Sequence, residues 1–116
     1  MEQKNMEKQE AAKTASFDER NPMMLTLGDP FLFDGAEIKE INLEGLFDLT
    51  AGDMCDIDRQ MIAKGYSGAR MEVTRQYAML VTAKVNHKPW EFCNGMKARD
   101  SIRLKEIVTT FFYITA

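Results

Sequence analysis

No stretch of this sequence is apolar over anything like the roughly twenty residues that a membrane-spanning helix needs. Histidine is nearly missing: His87 stands alone, which leaves little material for acid–base chemistry or for an imidazole metal site. The two cysteines, Cys55 and Cys93, are far apart and have no CxxC pair or Cys/His cluster around them. A zinc site is therefore not expected. One disulfide between them stays open, but two separate, mostly buried thiols fit a reducing compartment better. The opening MEQKNMEKQE lacks the apolar core of a signal peptide, so the expected location is the cytoplasm. Basic excess is lacking too. The formal net charge is −3, whereas a general nucleic-acid binder carries a large positive surplus.

What is present fits one domain. The chain has 116 residues, 45% of them hydrophobic, enough for a compact core of modest stability. Residues 1–20 are polar and charged, with Phe17 their only aromatic. They read as a flexible tail that cannot offset its own ordering entropy. Asn21-Pro22 marks the start of a single domain over 21–116. Charge is divided along the chain. Residues 21–62 hold nine acids against Lys39 and Arg59, while 63–116 hold nine bases against Glu72, Glu91, Asp100 and Glu106.

Periodicity predicts an α+β fold: a small antiparallel hairpin or meander, then three to four helices. Met23 to Leu27 is β-prone, Gly28-Asp29-Pro30 reads as a turn, and Asp34-Gly35 is a strong hairpin turn. Lys39 to Leu43 suits a half-buried strand. Thr50 with Asp53 resembles a capping box, and Leu49 with Met54 a hydrophobic staple. These begin a helix with Met54, Ile57, Met61 and Ile62 on its apolar side, stopped by Gly65. A second helix is expected from about Arg70 to Asn86, with Val73, Tyr77, Leu80 and Val81 as its stripe. A short helix over Pro89 to Cys93, closed by Asn94-Gly95, precedes a last one from about Ala98 to Tyr113. On that helix Leu104, Ile107, Val108, Phe111 and Phe112 share a face.

The search for chemistry finds no catalytic constellation, and none is assigned. No serine elbow or phosphate-cradling glycine loop occurs. Asp53, Asp56 and Asp58 lack the glycine and bidentate glutamate of a calcium loop, and they suit the positive end of a helix. Neither a metal nor another cofactor is expected. Lys97, Arg99, Arg103 and Lys105 are interrupted by acids and lack a stacking platform, so they read as a solvated helix face. The nine methionines read mainly as core filling. The cluster Phe111-Phe112-Tyr113-Ile114 is harder to bury in so small a domain. With Trp90, and with Arg99 and Arg103 to steer an acidic partner, it is the candidate partner-binding surface.

Tyr77-Ala78-Met79-Leu80-Val81-Thr82-Ala83-Lys84 resembles the second helix of the phage tail assembly chaperones. Lys88-Pro89-Trp90-Glu91-Phe92, followed by Lys97 to Lys105, resembles that family's apolar short helix, small-Arg-Asp step and final helix. Val108 to Tyr113 is similar to its ending, and Leu49-Thr50-Ala51-Gly52-Asp53 to its first helix start. The resemblance spans about residues 23–113, and its individual motifs are short. It implies a chaperone that binds the tape-measure protein, with the tail-tube protein as a further partner and self-association left open. It also implies work in the bacterial cytoplasm and absence from the finished virion. No nucleic-acid or membrane partner is expected. The alternative is a regulatory or adaptor protein-binding domain of a mobile element, without an assembly role.

Overall fold

The computed structural model describes residues 17–18 and 21–113. Strands β1 (Phe17–Asp18), β2 (Asn21–Phe33) and β3 (Ala36–Asn42) form an antiparallel sheet in the order β1-β2-β3. Three α-helices follow: α1 (Ala51–Ala63), α2 (Arg75–Val85) and α3 (Ala98–Tyr113). Short 3-10 turns at Glu44–Asp48, Met71–Val73 and Phe92–Gly95 link them. The layout is α+β. Phe17 and Asp18, read as tail from sequence, pair with β2 instead; the rest of the expected flexible tail lies outside the described residues.

The hairpin turns at Asp34-Gly35, as expected. Both residues have positive φ, 52° and 81°, which suits the right-handed twist of the flanking strands. Alternation decides the faces: Leu25, Leu27, Ile41 and Leu43 are buried, and Leu25 pairs directly with Ile41. Gly28-Asp29-Pro30 does not reverse the chain. Between the pairs Thr26–Glu40 and Phe31–Ile38, β2 advances five residues while β3 advances two. This segment is a wide bulge inside one strand. Its exposed backbone donors are taken by a helix: the Asp100 carboxylate accepts from Gly28 N at 3.0 Å and from Asp29 N at 3.1 Å. Pro30 has no N–H to satisfy.

Helix α1 begins on the expected capping box. Thr50 Oγ1 accepts from Asp53 N at 3.1 Å, and the Asp53 carboxylate accepts from Thr50 N at 3.0 Å. That second bond is the main reason Asp53 is held below the ordinary carboxylate value. Ile57 and Met61 are buried, but Ile62 points outward with 57% of its surface exposed. Helix α2 starts later than its periodicity suggests. Thr74 caps it, accepting from Tyr77 N and donating to Met71 O. Residues 71–73 therefore form a separate 3-10 turn, and Val73 leaves the stripe. Short polar side chains offer the backbone this alternative to helix.

At its other end α2 closes on a Schellman motif, with Lys88 N donating to Ala83 O at 2.8 Å and His87 N to Lys84 O at 3.1 Å. His87 occupies the left-handed position at φ 56° that glycine usually fills. Asn86 ties this end to the sheet by donating to Asn42 O at 2.9 Å. Gly45 makes the approach possible, because a Cβ there would lie 2.7 Å from Val85 Cβ. The expected short helix at Pro89 is instead a turn running into the 3-10 segment Phe92–Gly95, which buries Phe92 and Cys93. Burial pushes the Cys93 thiol up to about 12. Cys55, expected to be buried, is exposed on α1, and both thiols are free.

Candidate functional site

The C-terminal turns of α3 lead from the core to the surface through aromatic rings. Tyr77, fully buried in the first turn of α2, meets Phe112 edge-on at 6.2 Å between centroids. Phe112 meets Phe111 at 5.7 Å, and Phe111 meets Phe47 at 5.4 Å, both edge to face. Such tilted pairs are the favoured geometry of ring quadrupoles. Phe111 and Phe112 are half-buried, whereas Phe47 is 65% and Tyr113 51% exposed. The inner rings thus complete the core, while Phe47 and Tyr113 each present apolar surface to water.

Tyr113 is fixed rather than free. Its phenol donates to the Glu72 carboxylate, and the Arg70 guanidinium lies 5.5 Å from its ring centre. The shared hydrogen bond is the leading cause of two opposite shifts, holding the Glu72 carboxyl below its ordinary value and pushing the Tyr113 phenol up. A rigid, pre-positioned aromatic loses little side-chain freedom on binding. Tyr113 is pre-positioned in this way by Glu72 of the 3-10 turn ahead of α2.

The six sequence-predicted contact residues fall into three places. Phe111, Phe112 and Tyr113 lie on the last turn of α3, Phe111 and Phe112 in the ring chain with Phe47 and Tyr113 beside Glu72 and Arg70. Arg99 and Arg103 are exposed on the first turns of α3. With Ile102, Glu106, Thr110 and Tyr113 they recur at helical spacing and form its outer face. Ten residues separate Arg103 from Tyr113, a rise of about 15 Å, so the bases flank the aromatic residues along the helix rather than enclose them. Trp90 belongs elsewhere. It follows α2 beyond the end opposite Tyr77, and the Lys64 ammonium lies 3.1 Å from its ring centre.

Sequence reasoning missed Phe47, Arg70 and Glu72. Phe47 sits in a 3-10 turn between buried Leu46 and Asp48, off any α or β period. A large aromatic in a polar turn was the one signal available. Nothing in the sequence joins Arg70 and Glu72 to a residue some forty positions away. Among the described residues no group of three or more His, Cys, Asp or Glu side chains could hold a metal ion, and no helix is long and apolar enough to cross a membrane.

Comparison with family models, with curated proteins and with solved structures returned no match. The resemblance to tail assembly chaperones rests on the residues quoted for it.

Proposed function

We infer that this chain is a protein-binding module that serves as an assembly chaperone for a long helical partner of the tape-measure kind, working in the host cytoplasm and left out of the finished particle. The observation that carries this reading is the exposed aromatic surface of Phe47 and Tyr113 near the end of α3, backed by half-buried Phe111 and Phe112 and by Tyr77. Exposed aromatics in rigid settings are the side chains that most often dominate binding energy. An amphipathic partner helix offers aliphatic side chains at i, i+3 and i+4 that suit such a surface. Arg99 and Arg103, further along α3, steer acidic residues of that helix and set its register. Many copies on one long chain gain avidity from multiplicity, and the partner's apolar stripe is kept from self-association before assembly.

Co-expression with a tape-measure protein tests this directly. The double variant Phe47→Ala/Tyr113→Ala is expected to lose co-purification while its circular dichroism spectrum stays that of the wild type. Undiminished capture by the folded double variant would reject these aromatics as the contact surface. Failure of the wild type to hold any tape-measure protein, with capture of an unrelated regulatory protein, would favour the adaptor reading.

A further inference from the structure

The sheet ends on β3. Strand β1 takes the far side of β2, and among the described residues β2 is the only element with which β3 makes extensive contact. Ala36, Glu37, Lys39 and Glu40 are exposed, while Ile38 packs partly against the core. The two-residue turn decides which backbone groups face outward. Phe33 and Ala36 are its first and last residues and so a hydrogen-bonded pair, and pair types alternate away from it. Leu32–Glu37 is then a non-hydrogen-bonded pair, and Phe31–Ile38 a hydrogen-bonded one. The N–H and C=O of Glu37, and by alternation those of Lys39, therefore point away from β2. Among the described residues nothing outside the sheet takes them. At the other end of the edge, the Asn42 carbonyl already accepts from Asn86. The open edge is thus the segment 36–40.

We propose that this edge pairs with the same edge of a second copy of the chain, antiparallel about a two-fold axis at Ile38. Charge complementarity selects both the occupant and the register. Centred on Ile38, the pairing sets Glu37 opposite the partner's Lys39, Lys39 opposite the partner's Glu37, and Ala36 opposite the partner's Glu40. Glu37 and Lys39 already lie on one face as an ion pair at 3.7 Å. The four side chains then form a square in which every neighbour has the opposite sign. Ile38 meets the partner's Ile38 as a non-hydrogen-bonded pair, the arrangement with the closest side chains. The outward N–H and C=O groups of Glu37 and Lys39 supply four hydrogen bonds across the seam. Pairings centred on Glu37, Lys39 or Glu40 set like charges face to face, which is destabilising. One centred on Ile41 needs the Asn42 carbonyl that Asn86 holds. An edge lysine ordinarily keeps a second strand away; centred on Ile38, it meets a glutamate instead. Five residues a side make a short seam, so the association is weak and depends on concentration.

Sedimentation velocity of the full chain, from about 10 µM to about 1 mM, tests the pairing. The wild type is expected to pass from monomer towards dimer across that range. Glu37→Lys and Lys39→Glu each place four like charges at the seam. Each should raise the dimer dissociation constant about tenfold or more, with unchanged circular dichroism because both positions are exposed. The exchanged pair Glu37→Lys/Lys39→Glu restores the alternation of sign, and so does an equimolar mixture of the two single variants. Both should dimerise as the wild type does. Amide hydrogen exchange gives a second reading in the unaltered chain: the Glu37 and Lys39 amides should slow as concentration rises, while that of Ile38, already bonded to β2, should not. A wild type that stays monomeric throughout, single variants that dimerise equally well, or an exchanged pair that remains monomeric would overturn the proposal. Phe47→Ala/Tyr113→Ala should leave the dimer intact, so the aromatic surface and the strand edge are read separately. Loss of the dimer in that variant would assign the contact to the aromatics and overturn the edge pairing.

Discussion

At the scale of single residues, two buried polar groups are set apart by whether they are satisfied. Asp100 is 2% exposed, yet its two oxygens receive the bulge N–H groups of Gly28 and Asp29. In Asp100→Asn an amide NH2 replaces one of those acceptors, leaving a backbone donor facing another donor. The expected loss is about 1–3 kcal/mol, the cost of an unpaired buried group, seen as a lowered midpoint in urea unfolding; an unchanged midpoint would mean that the bulge is not held by this carboxylate. Tyr77 is the opposite case. Its hydroxyl is buried with no hydrogen-bond partner among the described residues, and burial pushes the phenol up from its ordinary value. Tyr77→Phe removes the unsatisfied atom and keeps the ring against Phe112, so thermal unfolding is expected to shift upward or stay level. A clear drop would reveal a hydrogen bond to that hydroxyl. Neither role was legible in the sequence. Asp100 reads there as one acid among bases on a solvated helix, and Tyr77 as one member of an apolar stripe.

At the scale of elements, the readings that succeeded were local ones. The Asp34-Gly35 turn, the Thr50/Asp53 box and the apolar face of α3 depend on residues within a few positions of each other, and the structure has all three. The misreadings came where a specific side-chain partner or a demand of the core overrides the local preference. Gly28-Asp29-Pro30 carries turn chemistry, but Asp100, more than seventy positions away, satisfies its donors and lets the strand continue. Thr74 outcompetes the helical period of residues 70–73 by capping at its own position. Pro89 opens only a turn because Phe92 and Cys93 must reach the core. Helix α2 packs against both other helices and all three 3-10 turns, with Tyr77, Ala78, Leu80, Val81, Thr82 and Ala83 all buried. Leu80→Ala is accordingly expected to destabilise by about 2–5 kcal/mol, the range for an emptied core leucine site. Chemical denaturation should show that loss without a change of slope. A value near that of a surface substitution, under about 0.5 kcal/mol, would contradict the burial.

At the scale of the molecule, the charge division along the chain becomes a division of surface. The acid-rich first half supplies the sheet and α1, and the base-rich second half supplies the outer face of α3 and the lysines beside Trp90. Aromatic surface forms where the two halves meet, Phe47 coming from one and Phe111 from the other, with Tyr113 exposed on the same helix end. Half of this surface was legible: an aromatic cluster at the end of an amphipathic helix is more than a small core can absorb. Its other half was not, because Phe47 is brought there by the turn ahead of α1 and Tyr113 is pinned by Glu72 from the turn ahead of α2. Hydroxyl-radical footprinting of the free protein and of its complex with a tape-measure protein reads these side chains directly. Leu32, 72% exposed on the hairpin, serves as the internal reference. Labelling of Phe47 and Tyr113 is predicted to fall several-fold in the complex while Leu32 is labelled as before; equal labelling of Phe47 and Tyr113 in the two states would contradict the account.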